Sequence, residues 1–93
     1  MMNYFKKKGK IKHYGFSVFN LDEAYAAINF KDVKSIQLVF NLFRQKPKKD
    51  FLKTAKSRNI AIIARGPLAS GLLSGTIDKK TIFAPSDHRN YNI

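Results

Sequence analysis

Apolar residues gather in three short segments along the chain, and the stretches between these segments space their apolar residues as helices do. Residues 11–18, 35–40 and 60–64 are rich in β-branched and aromatic side chains, which predicts three β-strands. The second segment is almost entirely apolar, as expected for a parallel strand that is covered on both faces. The Arg-Gly-Pro sequence that follows the third segment ends its strand.

Two helices are predicted between these strands. Asn20 can cap the first helix, and Asp22 and Glu23 place negative charge in its first turn, where the helix dipole favours it. Apolar residues then recur with helical spacing at positions 21, 24, 25 and 28. The second helix is predicted to begin at Pro47 and to end at Asn59.

The order β-α-β-α-β favours parallel strands that are joined by crossover helices. Three strands and two helices do not cover their own sheet, and a closed (β/α)₈ barrel takes about 250 residues. We therefore predict an α/β chain that forms part of a (β/α)₈ TIM barrel, a β-α-β-α-β parallel unit followed by a C-terminal loop. A small flavodoxin-like or Rossmann-like domain is the alternative, but the sequence contains neither G-x-G-x-x-G nor G-x-x-x-x-G-K-[ST].

Three features of the sequence bear on where in the cell the protein is expected to lie. The longest apolar run, residues 60–64, is far shorter than the roughly 20 residues that a membrane helix needs. The lysine-rich residues 1–14 lack the apolar stretch of a secretory signal. The chain has no cysteine, which excludes disulfide and thiolate chemistry. We therefore expect a soluble, cytoplasmic protein without a membrane partner.

The formal net charge of +12 permits two interpretations. Lysine and arginine can replace the counterions of nucleic-acid phosphates, which would indicate a nucleic-acid-binding protein. The lysines, however, are spread through residues 6–12, 46–56 and 79–80 and do not follow one motif. We interpret the charge as compositional drift and solvated helix faces, so that nucleic acid would bind only non-specifically.

Four segments together resemble one known family. Residues 9–17 (GKIKHYGFS) are similar to the GKIRxxGVS strand found midway through aldo/keto reductases. Residues 35–41 (SIQLVFN) resemble the family's next strand, xxQxxYN, and residues 64–75 (ARGPLASGLLSG) resemble its AYSPLAxGLLTGK segment. Residues 83–91 match a loop of one bacterial subgroup. The order and spacing of these motifs identify the chain, residues 1–93, as a partial aldo/keto reductase domain.

The resemblance implies strands five, six and seven of the barrel, whose chemistry lies at the carboxyl ends of the strands. In the family, the serine and glutamine that match Ser17 and Gln37 hydrogen-bond the nicotinamide carboxamide, and an amide needs the donor and the acceptor that this pair supplies. The loop after strand seven runs along the cofactor pyrophosphate, where small residues let backbone N–H groups approach phosphate oxygens. The candidate cofactor-binding residues are Ser17, Gln37, Arg65, Gly66, Pro67, Leu68, Ala69, Ser70 and Gly71, and the implied cofactor is NADP(H).

Four positions depart from the family's pattern. Val18 replaces the usual asparagine, and Gly66 replaces the usual serine. Arg65 replaces the aromatic residue that commonly stacks on the nicotinamide, although a guanidinium can also stack on a flat ring. Thr76 stands where many members have a cofactor-binding lysine. These differences weigh against tight cofactor binding by this chain.

The resemblance also implies which parts of the site lie elsewhere. The family's catalytic Asp, Tyr, Lys and His precede this segment, and the residues that select the 2′-phosphate follow strand eight. We therefore assign no residue of this sequence a catalytic role. His13 lies too early in its strand to reach the carboxyl end, and His88 has neither a third ligand nor a cysteine beside it, so we expect no metal site.

The sequence therefore predicts a fragment or truncated form of an NADP-dependent aldo/keto reductase that is inactive as an isolated chain. The full-length parent would transfer hydride between nicotinamide and an aldehyde, ketone or alcohol, so its partners would be the cofactor and a small carbonyl substrate. Two alternatives stay open: a small basic nucleic-acid-binding protein of reductase ancestry, and half of a split barrel that is active only with a partner chain. The open edges of a partial sheet predict self-association.

If the net positive charge reflects compositional drift, duplex DNA should bind the chain weakly and without sequence preference. The affinity should fall steeply as salt rises, because each phosphate contact releases a counterion. Fluorescence anisotropy across a salt series measures both properties. Sub-micromolar binding at physiological salt that discriminates between sequences would instead favour the nucleic-acid-binding alternative.

Overall fold

The three apolar segments form one parallel sheet in the computed structural model, which describes residues 1–91. The strands are β1 (Tyr14–Ser17), β2 (Val33–Val39) and β3 (Ala61–Arg65), and they lie in the order β1-β2-β3. Both β1 and β3 pair in parallel with β2. The α/β class and the parallel arrangement predicted from the sequence are confirmed.

The helices are α1 (Met2–Lys7), α2 (Leu21–Ala27), α3 (Lys46–Lys49) and α4 (Phe51–Ser57), and two 3₁₀ segments, Leu72–Ser74 and His88–Asn90, follow β3. The predicted cap of α2 is confirmed, because the Asn20 side chain accepts a hydrogen bond from the Glu23 N–H at 2.9 Å. The Glu23 carboxylate in turn accepts a hydrogen bond from the Phe19 N–H at 2.7 Å. This reciprocal cap fixes the direction in which the chain leaves β1.

Several boundaries differ from the prediction. β1 begins at Tyr14 and not at residue 11, because the chain pairs with β2 only from Tyr14 onward. The second helix is divided into α3 and α4, because the backbone of Asp50 (φ −131°, ψ −37°) leaves the helical conformation. Its last helical residue is Ser57 and Arg58 is its C-cap, so the predicted stop, Asn59, follows the helix with a φ of +56° that asparagine tolerates better than most residues. The sequence pattern gave no signal for α1, which buries none of its residues.

The buried core lies on one face of the sheet. Ile36 and Leu38 of β2 are 0% and 3% exposed, and they belong to the same cluster as Phe51 of α4, which is 1% exposed. The other members of the cluster are Val18, Ala24, Ala27, Ile28, Val33, Ala55 and Ile60. Because side chains alternate between the two faces of a strand, Gln37 lies on the opposite face from Ile36 and Leu38.

The opposite face of the sheet, which we call the uncovered face, carries two rows of laterally paired residues. They are Gly15, Ser35 and Ala61 in one row and Ser17, Gln37 and Ile63 in the next. None of these residues is buried, and Ile63 is 49% exposed. The radius of gyration is 17.0 Å, whereas a compact domain of this length has about 12 Å. The chain therefore covers one face of its sheet and leaves the other open.

The two strands β1 and β2 approach each other closely at Gly15. A Cβ atom at this position would overlap the side-chain oxygen and the carbonyl oxygen of Ser35. Because the carbonyl belongs to the backbone of the paired strand, it cannot move aside without disturbing the sheet. Glycine is therefore required here for the register that places Ser17 beside Gln37.

The helices of the described part of the chain are short. Among residues 1–91, no helix is long and apolar enough to cross a membrane.

We predict that the isolated chain self-associates and unfolds without a sharp cooperative transition. β1 and β3 each present an outer edge that no described strand pairs with, and the uncovered face exposes apolar surface. Analytical ultracentrifugation over a concentration series, together with thermal melting followed by circular dichroism, tests this expectation. A strict monomer that melts cooperatively would contradict it.

Candidate cofactor-binding site

The carboxyl ends of the three strands lie at one edge of the sheet because all three strands are parallel. Ser17 is the last residue of β1, and it pairs directly with Gln37 of β2. Both side chains lie on the uncovered face, where Ser17 is exposed and Gln37 is half-buried. Among residues 1–91, no group hydrogen-bonds the side-chain amide of Gln37. A fully buried core amide would normally have such a partner, whereas the half-buried Gln37 amide has its donor and acceptor groups unpaired within the described residues.

Arg65, the last residue of β3, reaches across the sheet to β1. Its Nη1 donates a hydrogen bond to Ser17 Oγ at 3.3 Å, and its guanidinium carbon lies 5.3 Å from the centroid of the Phe19 ring. Among residues 1–91, no carboxylate forms an ion pair with Arg65. The Ser17 hydroxyl uses an oxygen lone pair for Arg65, so its own O–H remains available as a donor. Ser17, Gln37 and Arg65 therefore form one polar group at the carboxyl edge.

The loop after β3 has an unusual backbone. Gly66 has a φ of +61°, and the successive residues Ala69, Ser70 and Gly71 have φ values of +50°, +58° and +92°. The N–H groups of Ala69 and Gly71 donate within the loop, to the carbonyl oxygens of Gly66 and Leu68 at 3.0 and 3.1 Å. The N–H of Ser70 has no acceptor among residues 1–91. Of the amides from Ala69 to Gly71, only that of Ser70 is therefore free to donate to an anion.

The remaining predicted loop residues play a smaller part. Pro67 has no N–H to donate. Leu68 is 53% exposed, and its carbonyl accepts hydrogen bonds from the N–H groups of Gly71 and Leu73. These two residues shape the turn that carries Ser70.

Asn41 joins the ends of β2 and β3, a role that the sequence analysis missed. Its Nδ2 donates to the Gly66 carbonyl oxygen at 2.9 Å, while its Oδ1 accepts from the N–H groups of Phe43 and Arg44 at 2.9 and 3.0 Å. One side chain thus closes the turn after β2 and fixes the start of the loop after β3. Asparagine's ability to donate and to accept at once was the available signal, since Asn41 ends the motif that resembles xxQxxYN.

The C-terminal segment folds back onto the loop through Arg89. Asp87 accepts hydrogen bonds from Arg89 Nε at 2.9 Å and from Arg89 Nη2 at 2.6 Å. These bonds hold the pKa of the Asp87 carboxyl well below its ordinary value and raise the pKa of Arg89. The guanidinium also donates to the Ser70 carbonyl oxygen at 3.3 Å. The sequence analysis matched residues 83–91 to a family loop and weighed His88 as a metal ligand, but it missed the contact of Arg89 with the loop after β3.

Three comparisons place the chain among known proteins. The family model of the aldo/keto reductase family matches residues 1–92. The chain is 30% identical to the aldo-keto reductase YhdN of Bacillus subtilis, over 90% of its own length and 25% of that protein. It is 40% identical to an oxidoreductase of Schizosaccharomyces pombe, over 77% of its own length and 24% of that protein. The chain spans about a quarter of the length of the curated relatives it matches.

A solved structure gives the same result for the fold. The glycerol dehydrogenase of Gluconobacter oxydans superposes on 98% of this chain and 28% of its own chain, with a TM-score of 0.79 and 30% sequence identity. The three parallel strands therefore correspond to part of a TIM barrel, as the sequence predicts.

Two substitutions separate the two roles of Asn41. Asn41→Ala removes all three side-chain hydrogen bonds, whereas Asn41→Asp keeps the two accepted bonds and loses only the donation to Gly66. We expect trypsin to cleave both variants faster than the wild type at Arg65–Gly66. Only Asn41→Ala should also show faster hydrogen exchange at the backbone amides of Phe43 and Arg44. Each lost bond should cost about 0.5–1.5 kcal/mol. Unchanged cleavage in Asn41→Asp would show that the Gly66 contact does not hold the loop.

Proposed function

This chain belongs to the aldo/keto reductase family, and we propose that it is a segment of an NADP-dependent member. In this proposal the chain contributes the part of the barrel wall that contacts the nicotinamide and the pyrophosphate. The complete enzyme would transfer hydride between the nicotinamide and an aldehyde, ketone or alcohol. The chain alone would carry part of the cofactor site and no catalytic residue.

The pairing of Ser17 with Gln37 on the uncovered face carries the proposal. A carboxamide presents one acceptor oxygen and two N–H donors. The free O–H of Ser17 can donate to that oxygen, and the Gln37 amide, which has no partner among residues 1–91, can accept from the NH₂ group. The two side chains are held side by side by the strand register, so that they fit a carboxamide without rearrangement of the backbone.

The Arg65 guanidinium adds a planar cation beside this pair. Its stacking on Phe19 supports a role as a flat surface against the nicotinamide ring, in place of the aromatic residue expected from the family. The free N–H of Ser70 supports a pyrophosphate contact in the loop after β3. When bound, the cofactor would supply or accept the hydride, while Ser17, Gln37, Arg65 and Ser70 would bind and orient it.

On the uncovered face, none of the residues that the described strands place at the carboxyl edge is a carboxylic acid, tyrosine or histidine. These residues are Ser17, Gln37, Val39 and Arg65. The carboxylates of Asp22 and Glu23 lie in the first turn of α2, where Glu23 accepts a hydrogen bond from the Phe19 N–H. His13 and Tyr14 lie at the opposite end of β1, where Tyr14 pairs with the first residue of β2. Proton transfer to a carbonyl requires a positioned acid within hydrogen-bond reach, and these residues do not supply one.

A split barrel is the second candidate function, because the chain leaves a sheet face and two sheet edges uncovered. The superposed glycerol dehydrogenase extends well beyond the part that this chain matches. A second polypeptide that supplied further strands would cover these surfaces and could bring the catalytic residues. Co-purification of a strand-supplying partner, with activity in the complex, would support this candidate.

We expect the purified chain to reduce no aldehyde at the expense of NADPH. The reason is the lack of a proton donor at the carboxyl edge of the described strands. The decrease in NADPH absorbance with a broad aldehyde panel measures the reaction. Turnover well above a blank, in protein freed of host reductases, would overturn the assignment of the chain as catalytically incomplete.

The most specific test concerns Gln37 in a barrel that is completed by joining the chain to the strands it lacks. Gln37→Ala would leave the NH₂ donor of the carboxamide without its acceptor, while Ser17 would still donate to the carboxamide oxygen, a loss of about 1–3 kcal/mol. We therefore expect NADPH affinity to fall roughly tenfold or more. Isothermal titration calorimetry or quenching of cofactor fluorescence measures the change.

Lys53→Ala is the matched control for Gln37→Ala. Lys53 is exposed on α4 and makes no ion pair among residues 1–91. Its removal should leave NADPH affinity unchanged. Both variants must melt at the same temperature for the comparison to hold. Equal affinities of the two variants would mean that Gln37 does not contact the cofactor.

A further inference from the structure

The turn at residues 69–71 adopts a backbone conformation that needs external support. Ala69, Ser70 and Gly71 all have positive φ, and two of them carry a Cβ atom that disfavours this region. Such residues persist only where the surrounding structure over-determines their conformation, and they cluster at functional sites.

Hydrogen bonds within the loop hold only part of the turn. The carbonyl of Ala69 accepts from the Leu72 N–H at 3.2 Å, and the Gly71 N–H donates to Leu68 at 3.1 Å. No backbone N–H among residues 1–91 donates to the carbonyl of Ser70. Its donor is the side chain of Arg89, at 3.3 Å and 19 residues further along the chain.

Arg89 is itself fixed from three sides. Asp87 accepts from its backbone N–H, its Nε and its Nη2 at 2.9, 2.9 and 2.6 Å. The guanidinium carbon lies 4.1 Å from the centroid of the Phe83 ring. A Cβ atom at Gly71 would lie 3.3 Å from Arg89 Nη1, so the guanidinium packs directly against the turn. The side chain thus links the C-terminal segment to the turn at residues 69–71, and we call this set of contacts between Arg89, Asp87 and Ser70 the Arg89 brace.

We propose that Arg89 is a positioning residue for the loop after β3, which it serves by fixing the carbonyl of Ser70. The Ala69 carbonyl is held by Leu72 and the Ser70 carbonyl by Arg89, so the peptide planes on both sides of Ser70 are anchored. In a trans peptide the N–H points away from the preceding carbonyl. The Ser70 N–H shares its peptide plane with the Ala69 carbonyl and is therefore directed away from Leu72, while Arg89 holds the next plane, between Ser70 and Gly71.

This part of the inference rests on the proposed function. Under that function, the Ser70 N–H binds the pyrophosphate of the cofactor. A peptide N–H held in one direction binds a phosphate oxygen without first ordering the backbone, which reduces the entropic cost of binding. Arg89 would act through Ser70 and would not touch the cofactor itself, since its guanidinium is already occupied by Asp87, Phe83 and Ser70.

Hydrogen exchange on the millisecond timescale, measured by mass spectrometry on the full chain, tests the brace. Arg89→Lys keeps the charge but loses the fork that bonds Asp87 and Ser70 at once. We expect the amides of residues 71–74 to exchange several-fold faster in Arg89→Lys and in Arg89→Ala, while peptides from β2 stay unchanged. Unaltered exchange of residues 71–74 in both variants would overturn the proposal.

Arg58→Lys serves as the matched control. Arg58 also bridges distant parts of the chain, donating to the Ile28 carbonyl at 3.2 Å and to Asn29 Oδ1 at 3.0 Å. Its substitution should not accelerate exchange at residues 71–74. Equal acceleration by Arg58→Lys would mean that general loosening explains the result, and this too would overturn the proposal.

A titration with inorganic pyrophosphate separates the brace from the proposed cofactor role. If the loop binds the cofactor, pyrophosphate should slow exchange of the Ser70 amide in the wild-type chain, and Arg89→Lys should diminish this protection more than Arg58→Lys does. If the Arg89 variants loosen the turn but pyrophosphate protects Ser70 in none of the proteins, the brace stands and the cofactor role of the loop fails. Full protection in Arg89→Lys, equal to that of the wild type, would refute the positioning role.

Discussion

The central strand β2 carries the structural constraint on which the rest of the chain depends. Ile36 and Leu38 are buried against the helices, and burial of two such side chains stabilises the sheet by several kcal/mol, at about 1.5–3 kcal/mol each. The alternation of a strand then places Gln37 on the face that the helices do not cover. The same packing that forms the core therefore presents the polar side chain that the cofactor proposal requires.

The carboxyl edge is organised by contacts that cross from one strand to another. Arg65 reaches from β3 to Ser17 of β1, and Asn41 ties the end of β2 to Gly66 after β3. Arg89 adds a contact from the C-terminal segment to Ser70. None of residues 66–91 is buried, so hydrogen bonds define the geometry of the candidate site, while apolar burial defines the sheet beneath it.

The share of a barrel that the chain spans explains its shape. The radius of gyration of 17.0 Å, the open strand edges and the uncovered face all describe a sheet that ends before it closes. In the superposed glycerol dehydrogenase, the matched region makes up 28% of the chain. A barrel places its reacting groups on several strands, so a segment of this size can hold one wall of a cofactor site without holding a complete reaction centre.

The sequence by itself determined the three strands, the cap at Asn20, the helix-breaking role of Asn59 just beyond α4 and the family, because these depend on local periodicity and on short motifs. It also predicted that Ser17 and Gln37 lie at the same edge, since parallel strands share their carboxyl ends. Only the tertiary structure decided that Arg65 bonds Ser17, that Asn41 holds Gly66 and that Arg89 holds Ser70. These partners lie 48, 25 and 19 residues apart along the chain, and no local pattern encodes which long polar side chain meets which distant group.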